Sequence, residues 1–131
     1  MEKKLFREAV AVREKAYTPY SNFKVGAALL AKSGKIYHGC NIENAAYTPT
    51  NCAERTAFFK AVSEGEMEFE KIAIVGGKEE PNELVSPCGV CRQVMAEFCD
   101  ESFTILLGNS KGIKSFSLKE ILPLSFTKKD L

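Results

Sequence analysis

The sequence has almost no excess of charge of either sign. Lys and Arg together number 18 and Asp and Glu 17, which leaves a formal net charge of +1. Proteins that bind nucleic acid or an anionic membrane surface usually present clustered basic residues, and no such stripe is visible in this sequence. We therefore expect neither nucleic acid nor a membrane among the partners of this chain.

Long apolar runs are also missing. No stretch approaches the roughly 18 apolar residues that suggest a membrane span. Residues 1–8 are rich in charge, where a secretory signal would need an apolar segment. These absences predict a cytoplasmic protein, and the length of 131 residues predicts one domain over residues 1–131.

Histidine is nearly absent, whereas cysteine is not. His38 is the only histidine, and a lone histidine within a predicted strand is more often a surface or core residue than a metal ligand. Disulfides are rare in the cytoplasm, so the five cysteines are expected to be metal ligands or core residues. Their odd number favours the same interpretation.

Hydrophobic periodicity and turn signals predict an alternating series of helices and strands. Ser86-Pro87 is typical of a helix start, because a capping hydroxyl precedes a proline. Strands joined through helices favour parallel pairing, while the first two strands form an antiparallel hairpin. We predict an α/β fold, a three-layer α-β-α domain on a mixed sheet of about five strands. The predicted elements are a helix through Leu5, Ala9, Val12 and Ala16, strands 24–31 and 35–41, a helix from about 52 to 64, a strand 71–75, a loop 76–83, a helix from 86 with apolar Cys91, Val94, Met95 and Phe98, strands 103–107 and 113–117, and a short helix 118–122.

Two short motifs carry most of the chemical information: Cys52-Ala53-Glu54 and Pro87-Cys88-Gly89-Val90-Cys91. Cys88 and Cys91 are three residues apart, so they share one side of a helix. Both motifs are predicted at the N-termini of helices that follow strands, where α/β sheets place their sites and helix dipoles favour thiolates. Zinc prefers sulfur and nitrogen ligands in a tetrahedron, so the motifs predict a zinc site.

The number of ligands decides what such a site can do. Four protein ligands close a structural zinc site, whereas three leave a position for water and chemistry. Cys40 is the main candidate for a fourth ligand, but strand alternation points it away from Asn41 and Glu43 if those residues line a pocket. Cys99 is interpreted as a packing residue. Three ligands are favoured, and a thioredoxin-like redox pair in the CxxC motif would leave the Cys-Ala-Glu motif unexplained.

Four stretches of sequence occur together in an order and spacing that resemble a known family. They are residues 20–29 (YSNFKVGAAL), 39–45 (GCNIENA), 52–57 (CAERTA) and 86–93 (SPCGVCRQ). Zinc deaminases carry an H-x-E … P-C-x-x-C signature, and a variant with three cysteine ligands exists. By these motifs the sequence resembles the small homotetrameric zinc-dependent cytidine deaminases, and the order of predicted elements extends the match over nearly the whole chain.

The resemblance implies an activity and a set of site residues. The implied activity is the hydrolytic deamination of free cytidine and deoxycytidine to uridine and deoxyuridine, a reaction of pyrimidine salvage, by a homotetramer whose active sites are completed by neighbouring subunits. One Zn²⁺ per subunit is expected on Cys52, Cys88 and Cys91, with Glu54 as the catalytic proton carrier. The implied substrate-binding residues are Asn41 and Glu43 for the ribose hydroxyls, Phe23 as an aromatic wall, the backbone of Ala53 and Ser86 for the pyrimidine, and Tyr47 and Phe126 across the subunit interface, with Arg55 against the ligand sulfurs.

The residues can physically support these roles. Strand alternation puts Asn41 and Glu43 on one face, where a carboxylate accepts hydrogen bonds strongly. Zinc with three thiolates has a net charge of −1, so a cation such as Arg55, three residues after Cys52, would restore the acidity of the metal. In an ideal helix a two-residue step turns about 200°, so spacing alone does not aim Glu54 at the metal.

Two alternative functions remain open at this point. A deaminase of a cytosine-containing antibiotic of the blasticidin type would use the same zinc motifs, although its substrate carries a different sugar. A non-catalytic zinc-stabilised domain would need Cys40 as a fourth ligand. The Asn41 and Glu43 pair favours a ribonucleoside substrate over the antibiotic, and the zinc-stabilised domain stays open.

Overall fold

The computed structural model describes residues 1–81 and 84–131. Its elements follow the predicted order, with a short 3₁₀ helix added at the C-terminus. Among the described residues, no helix combines the length and apolar character that crossing a bilayer requires. The elements are α1 (Glu2–Arg13), β1 (Lys24–Ala31), β2 (Ile36–Cys40), α2 (Ala53–Ser63), β3 (Phe69–Gly77), α3 (Gly89–Phe98), β4 (Thr104–Asn109), β5 (Gly112–Ser117), α4 (Leu118–Ile121) and the 3₁₀ helix Lys128–Asp130.

The five strands form one mixed sheet in the order β2-β1-β3-β4-β5. β1 pairs antiparallel with both β2 and β3, and β3 pairs parallel with β4. β2, β3 and β4 therefore run in the same direction. Because α2 follows β2 and α3 follows β3, both helices begin at the same edge of the sheet.

Alternation along β1 separates two hydrophobic cores. Ala28 and Leu30 face α1 and pack with its Leu5 and Ala9. Ala27, Leu29 and Ala31 face the other way and pack with residues of α2 and α3, among them Phe58 and Met95. This arrangement confirms the predicted three-layer α-β-α fold on a mixed five-stranded sheet.

Two predicted helix boundaries are wrong. Ala16 lies beyond α1, because the neighbouring Tyr17 has already turned to pair with Asn41 and donates its N–H to the Asn41 carbonyl at 3.0 Å. The predicted start of α3 at Ser86-Pro87 is also too early. The helix starts at Gly89, and Cys88 is its N-cap, with extended backbone and a sulfur that accepts the Cys91 N–H at 3.4 Å.

β3 extends beyond the apolar stretch 71–75 from which it was predicted. Gly76 and Gly77 were expected in the loop 76–83, but they pair with Val25 and Lys24 at the end of β3. Of that predicted loop, residues 82 and 83 lie outside the described part of the chain. The extra pairs carry β3 up to the edge where α2 and α3 begin.

Candidate metal centre and active site

Three cysteine sulfurs meet where α2 and α3 begin. Cys52 is the N-cap of α2, Cys88 is the N-cap of α3, and Cys91 lies in the first turn of α3. The Cys52 and Cys88 sulfurs are 3.8 Å apart, those of Cys88 and Cys91 are 3.5 Å apart, and all three lie within 4.8 Å of one another. The two sequence motifs thus converge at one point.

The spacing of these sulfurs fits a zinc ion. A Zn–S distance of about 2.3 Å in a tetrahedron requires sulfurs about 3.8 Å apart. Among residues 1–81 and 84–131, Cys52, Cys88 and Cys91 form the only such group of potential ligands. Cys40 is half-buried and does not join it, and His38 instead contacts Glu8, with 2.5 Å between Nε2 and Oε1. Three protein ligands leave one position of the tetrahedron for water.

Two of the three thiols differ in acidity. The interaction with Cys91, with the help of Arg55, lowers the pKa of Cys52 to about 5. The same interaction, together with burial, raises the pKa of Cys91. Zinc binds cysteine as the thiolate, so metal binding at this group would release the proton of Cys91.

Arg55 lies directly against this group. Its Nη2 donates to the Cys52 sulfur at 3.4 Å, and contacts with Cys52 and Cys91 raise the pKa of the guanidinium. Its Nε is buried and has no hydrogen-bond partner among the described residues. The guanidinium therefore lies where it can offset the net negative charge of a divalent metal bound by three thiolates.

Glu54 is the buried carboxyl group of the site. It lies in the first turn of α2 and is only 5% exposed, and burial raises its pKa to about 7. The charge of Cys52 acts in the same direction, and Cys91 also interacts with the carboxyl. Cys52 has φ −75° and ψ 155° and lies outside the helix, so the 200° rotation of an ideal helix does not separate its sulfur from Glu54.

A glycine on β2 lets α2 begin close to the sheet. A Cβ at Gly39 would lie 2.2 Å from the Ala53 carbonyl oxygen and 2.6 Å from the Ala57 nitrogen. Real Cβ atoms do not approach backbone this closely. The absence of a side chain at Gly39 therefore sets the depth at which Cys52 and Glu54 are held.

Asn41 and Glu43 are held by backbone groups around β1. Asn41 accepts the Val25 N–H at 2.8 Å and donates to the Phe23 carbonyl at 2.8 Å. Glu43 accepts the N–H groups of Tyr20 and Ser21 at 3.0 and 3.1 Å, and the Ser21 hydroxyl as well. These hydrogen bonds, chiefly those from Ser21, lower the pKa of Glu43.

The remaining residues of the implied pocket differ in exposure. The Phe23 ring is half-buried and lies over Gly76 at the end of β3. Ala53 is buried, whereas Ser86 is exposed. Tyr47 and Phe126 are 77% and 61% exposed, so within one chain neither is covered.

Two side chains that the sequence did not single out organise the site. Ser21 holds Glu43, as described above. Arg92 donates to the Pro87 carbonyl at 2.7 Å, the Ile121 carbonyl at 2.5 Å and the Ser86 hydroxyl at 2.5 Å. Both lie inside the motifs quoted above, but a motif does not say which backbone atoms a side chain reaches.

A separate groove in the described part of the chain lies away from the three-sulfur group. A groove of about 780 Å³ runs between the end of α3, α4 and the C-terminal segment, and no cysteine of the three-sulfur group lines it. It brings together no set of metal ligands, and its charged residues are of both signs. The chemistry is therefore assigned to the three-sulfur group, which one chain leaves open to solvent at Cys88.

Fold and site together define a zinc-dependent deaminase: helix N-termini that hold three thiolates, one free metal position and a buried carboxyl group beside it. Residues 1–107 match the family model of the cytidine and deoxycytidylate deaminase zinc-binding region. The chain belongs to this family.

Individual relatives agree with the family model. A cytidine deaminase of Sporosarcina psychrophila is 58% identical, over 98% of this chain and 93% of that protein. The solved structure of a cytidine deaminase from Burkholderia pseudomallei superimposes with a TM-score of 0.88 at 46% identity, covering 96% of this chain and 99% of that one. A more distant relative, a blasticidin-S deaminase of Bacillus cereus, is 33% identical over 79% of this chain and 77% of that protein.

Proposed function

We propose that this chain hydrolyses the exocyclic amine of free cytidine and deoxycytidine to give the uracil nucleosides and ammonia, as a cytoplasmic enzyme of pyrimidine salvage. The observation that carries the proposal is the three-sulfur group of Cys52, Cys88 and Cys91 with buried Glu54 beside it. The full-length similarity to cytidine deaminases supports the substrate class.

Cys52, Cys88 and Cys91 would hold the zinc ion, and Glu54 moves the protons of the reaction. A zinc ion on the three thiolates would lower the pKa of a water in its open position from about 15.7 toward about 7. Glu54 accepts a proton from the attacking water and transfers it to N3 of cytosine, while the water oxygen adds to C4. Glu54 then carries the remaining proton of that oxygen to the amine. The C4–N bond breaks, ammonia departs and the C4 carbonyl of uracil remains. A pKa near 7 suits a group that must both accept and donate protons at neutral pH.

Different residues around the sulfur group bind the sugar and the base of the nucleoside. Asn41 and Glu43 bind the sugar hydroxyls, and each keeps hydrogen-bonding capacity beyond its backbone contacts. Phe23 forms an aromatic wall of the pocket. The backbone groups of Ala53 and Ser86 bind the amide edge of the pyrimidine ring.

We assign the active assembly to a homotetramer in which Tyr47 and Phe126 reach the site of a neighbouring subunit. Their exposure in one chain, and that of Leu124, supports this assignment, because large exposed apolar side chains favour an interface. Truncation after Ser125 should reduce both tetramer content and activity in sedimentation and turnover measurements. A truncated chain that stays tetrameric with normal turnover would remove Phe126 from the site.

The decisive test combines a zinc determination with a cytidine-to-uridine absorbance assay on the purified chain. We expect one zinc per chain and turnover of cytidine. Glu54→Gln should retain the zinc and lose at least about 100-fold in turnover, because it removes the proton carrier. Glu97→Gln, an exposed change on α3, is the matched control. Normal turnover by the Glu54 variant would exclude this mechanism.

Two further functions are tested by the same preparation. The similarity to a blasticidin-S deaminase makes the antibiotic a second candidate substrate, and ammonia release from blasticidin faster than from cytidine would favour it. A structural zinc domain predicts that Cys40→Ala loses its zinc. Retained metal and activity in that variant would exclude the structural reading.

A further inference from the structure

The segment between α1 and β1 is a compact turn that faces Glu43. The Asn22 N–H donates to the Thr18 carbonyl at 3.0 Å, and Asn22 has a left-handed φ of 58°. This conformation presents three donors on the same side: the N–H groups of Tyr20 and Ser21, and the Ser21 hydroxyl. All three reach the Glu43 carboxylate.

The direction of the Ser21 hydroxyl is fixed by its other partner. The Phe23 N–H donates to Ser21 Oγ at 3.0 Å. A backbone N–H can only donate, so the serine oxygen accepts at that contact and its single proton is left for Glu43 Oε2. The Ser21 hydroxyl therefore links the Phe23 backbone to one defined oxygen of Glu43.

Counting acceptor sites shows what remains for a ligand. An ionised carboxylate has about four lone-pair sites, two on each oxygen. Glu43 Oε1 accepts two N–H groups, and Oε2 accepts the Ser21 hydroxyl. With the partners that the described residues provide, a single acceptor site therefore remains, on Oε2, the oxygen that Ser21 holds.

The backbone of Glu43 is fixed as well, so the carboxylate has little freedom to turn away. The Glu43 N–H donates to the Tyr17 carbonyl at 2.9 Å. The preceding Ile42 is bridged to Tyr17 on one side and to Asn51 on the other. Any change in the direction of Oε2 must therefore come from the side chain, where Ser21 acts.

We propose that Ser21 is a positioning residue for sugar recognition: its hydroxyl orients Glu43 Oε2, so that the one remaining acceptor site of the carboxylate receives a sugar hydroxyl of the substrate. The inference rests on the proposed nucleoside deaminase function and on the role of Glu43 in binding the sugar. Ser21 itself does not touch the reacting atoms. Its loss should weaken chiefly the interaction that passes through Glu43.

The test is a comparison of Ser21→Ala with wild type on cytidine and on its 2′-deoxy, 3′-deoxy and 2′,3′-dideoxy analogues. For cytidine we expect KM to rise about ten-fold with kcat within about two-fold, as for the loss of one hydrogen bond to a charged group. For the analogue that lacks the hydroxyl bound by Glu43, the KM of the variant should equal that of wild type. Ser21→Thr keeps a hydroxyl and should restore the KM for cytidine.

The chain offers a matched control. Ser33 also donates to a glutamate, with 2.6 Å between its Oγ and Glu66 Oε1, in the turn between β1 and β2. Ser33→Ala makes the same chemical change away from the site and should leave every KM unchanged. Zinc content and melting temperature of both variants verify that they are folded, and Ser21→Cys serves if Ser21→Ala does not fold.

The outcomes separate this inference from the proposed function. An equal rise of KM for all four substrates, or no rise for any, would overturn the role of Ser21. If Glu43→Gln shows the dependence on a sugar hydroxyl and Ser21→Ala does not, the Glu43 site stands and only the Ser21 inference falls. If wild type deaminates none of the four substrates, the proposed function itself fails.

Discussion

Replacement of Arg92 by alanine is the perturbation whose size the structure predicts most directly. Its guanidinium joins the Pro87 carbonyl, the Ser86 hydroxyl and the Ile121 carbonyl at 2.5–2.7 Å. It thereby connects the segment that leads into Cys88 to the end of α4. The two bonds to carbonyl groups are half-buried, and the bond to Ser86 is exposed.

The expected loss follows from these three bonds. Hydrogen bonds from a charged donor contribute about 1.5–3 kcal/mol each, and water replaces part of this when the donor is removed. With the exposed bond to Ser86 neglected, Arg92→Ala should lower the free energy of unfolding by about 2–3 kcal/mol. At roughly 4 °C per kcal/mol for a chain of this size, the melting temperature should fall by about 10 °C. Since Pro87 adjoins Cys88, zinc release to a chelator should also be about ten-fold faster.

Thermal denaturation of the zinc-loaded protein and chelator-induced zinc release would measure both effects. Arg92→Lys keeps the charge but cannot form the same fork of bonds, so it should recover only part of the loss. Arg7→Ala, an exposed change on α1, controls for the loss of one positive charge. A melting temperature within about 2 °C of wild type would correspond to about 0.5 kcal/mol and would refute the proposed connection.

Three further predictions concern the metal centre. Arg55→Gln should weaken zinc retention or lower turnover about 10–100-fold, because the cation beside the Cys52 sulfur is lost. Chelator competition measures zinc retention and kcat measures turnover. Unchanged values of both would contradict the prediction. Gly39→Ala should destabilise the protein by about 3 kcal/mol or more in urea denaturation, since its Cβ meets the Ala53 carbonyl; Gly89→Ala, where nothing lies within 4 Å, should not. In zinc-free protein at pH 6.5, Cys52 should react first with iodoacetamide, because its pKa of about 5 keeps it ionised, whereas an ordinary thiol ionises near pH 8.5. Peptide mass spectrometry locates the label, and zinc that fails to protect Cys52 would argue against its role as a ligand.

The convergence of the sulfur group could be predicted because local rules control it. Cys88 and Cys91 share a helix face at a spacing of three, and two strands that run in one direction deliver both helices to one edge. The sheet and its three layers follow from similarly local apolar patterns. The direction of the Glu54 side chain relative to the sulfurs could not be predicted from helical spacing. It depends on the extended backbone of Cys52, which lies outside the helix.

Features that depend on contacts distant in sequence were not predictable in the same way. The Ser21 contact with Glu43 spans 22 residues, and the Arg92 contact with Ile121 spans 29. Neither a hydrophobic period nor a spacing rule relates such pairs. The early start assigned to α3 has a different cause: Ser86-Pro87 satisfies the usual start pattern, but the sulfur of Cys88 is the acceptor that caps the helix.

The placement of Cys52 as an N-cap has a consequence for how this site can vary. A residue with extended dihedrals just before a helix is not tied to the rotation of that helix, so the length of its side chain can change without moving the residues after it. Zinc deaminases occur with either histidine or cysteine at the first ligand position. Because the backbone of Cys52 is extended and lies outside α2, a histidine or a cysteine side chain can bind the metal from this position. The carboxyl group two residues later can keep its position in either case.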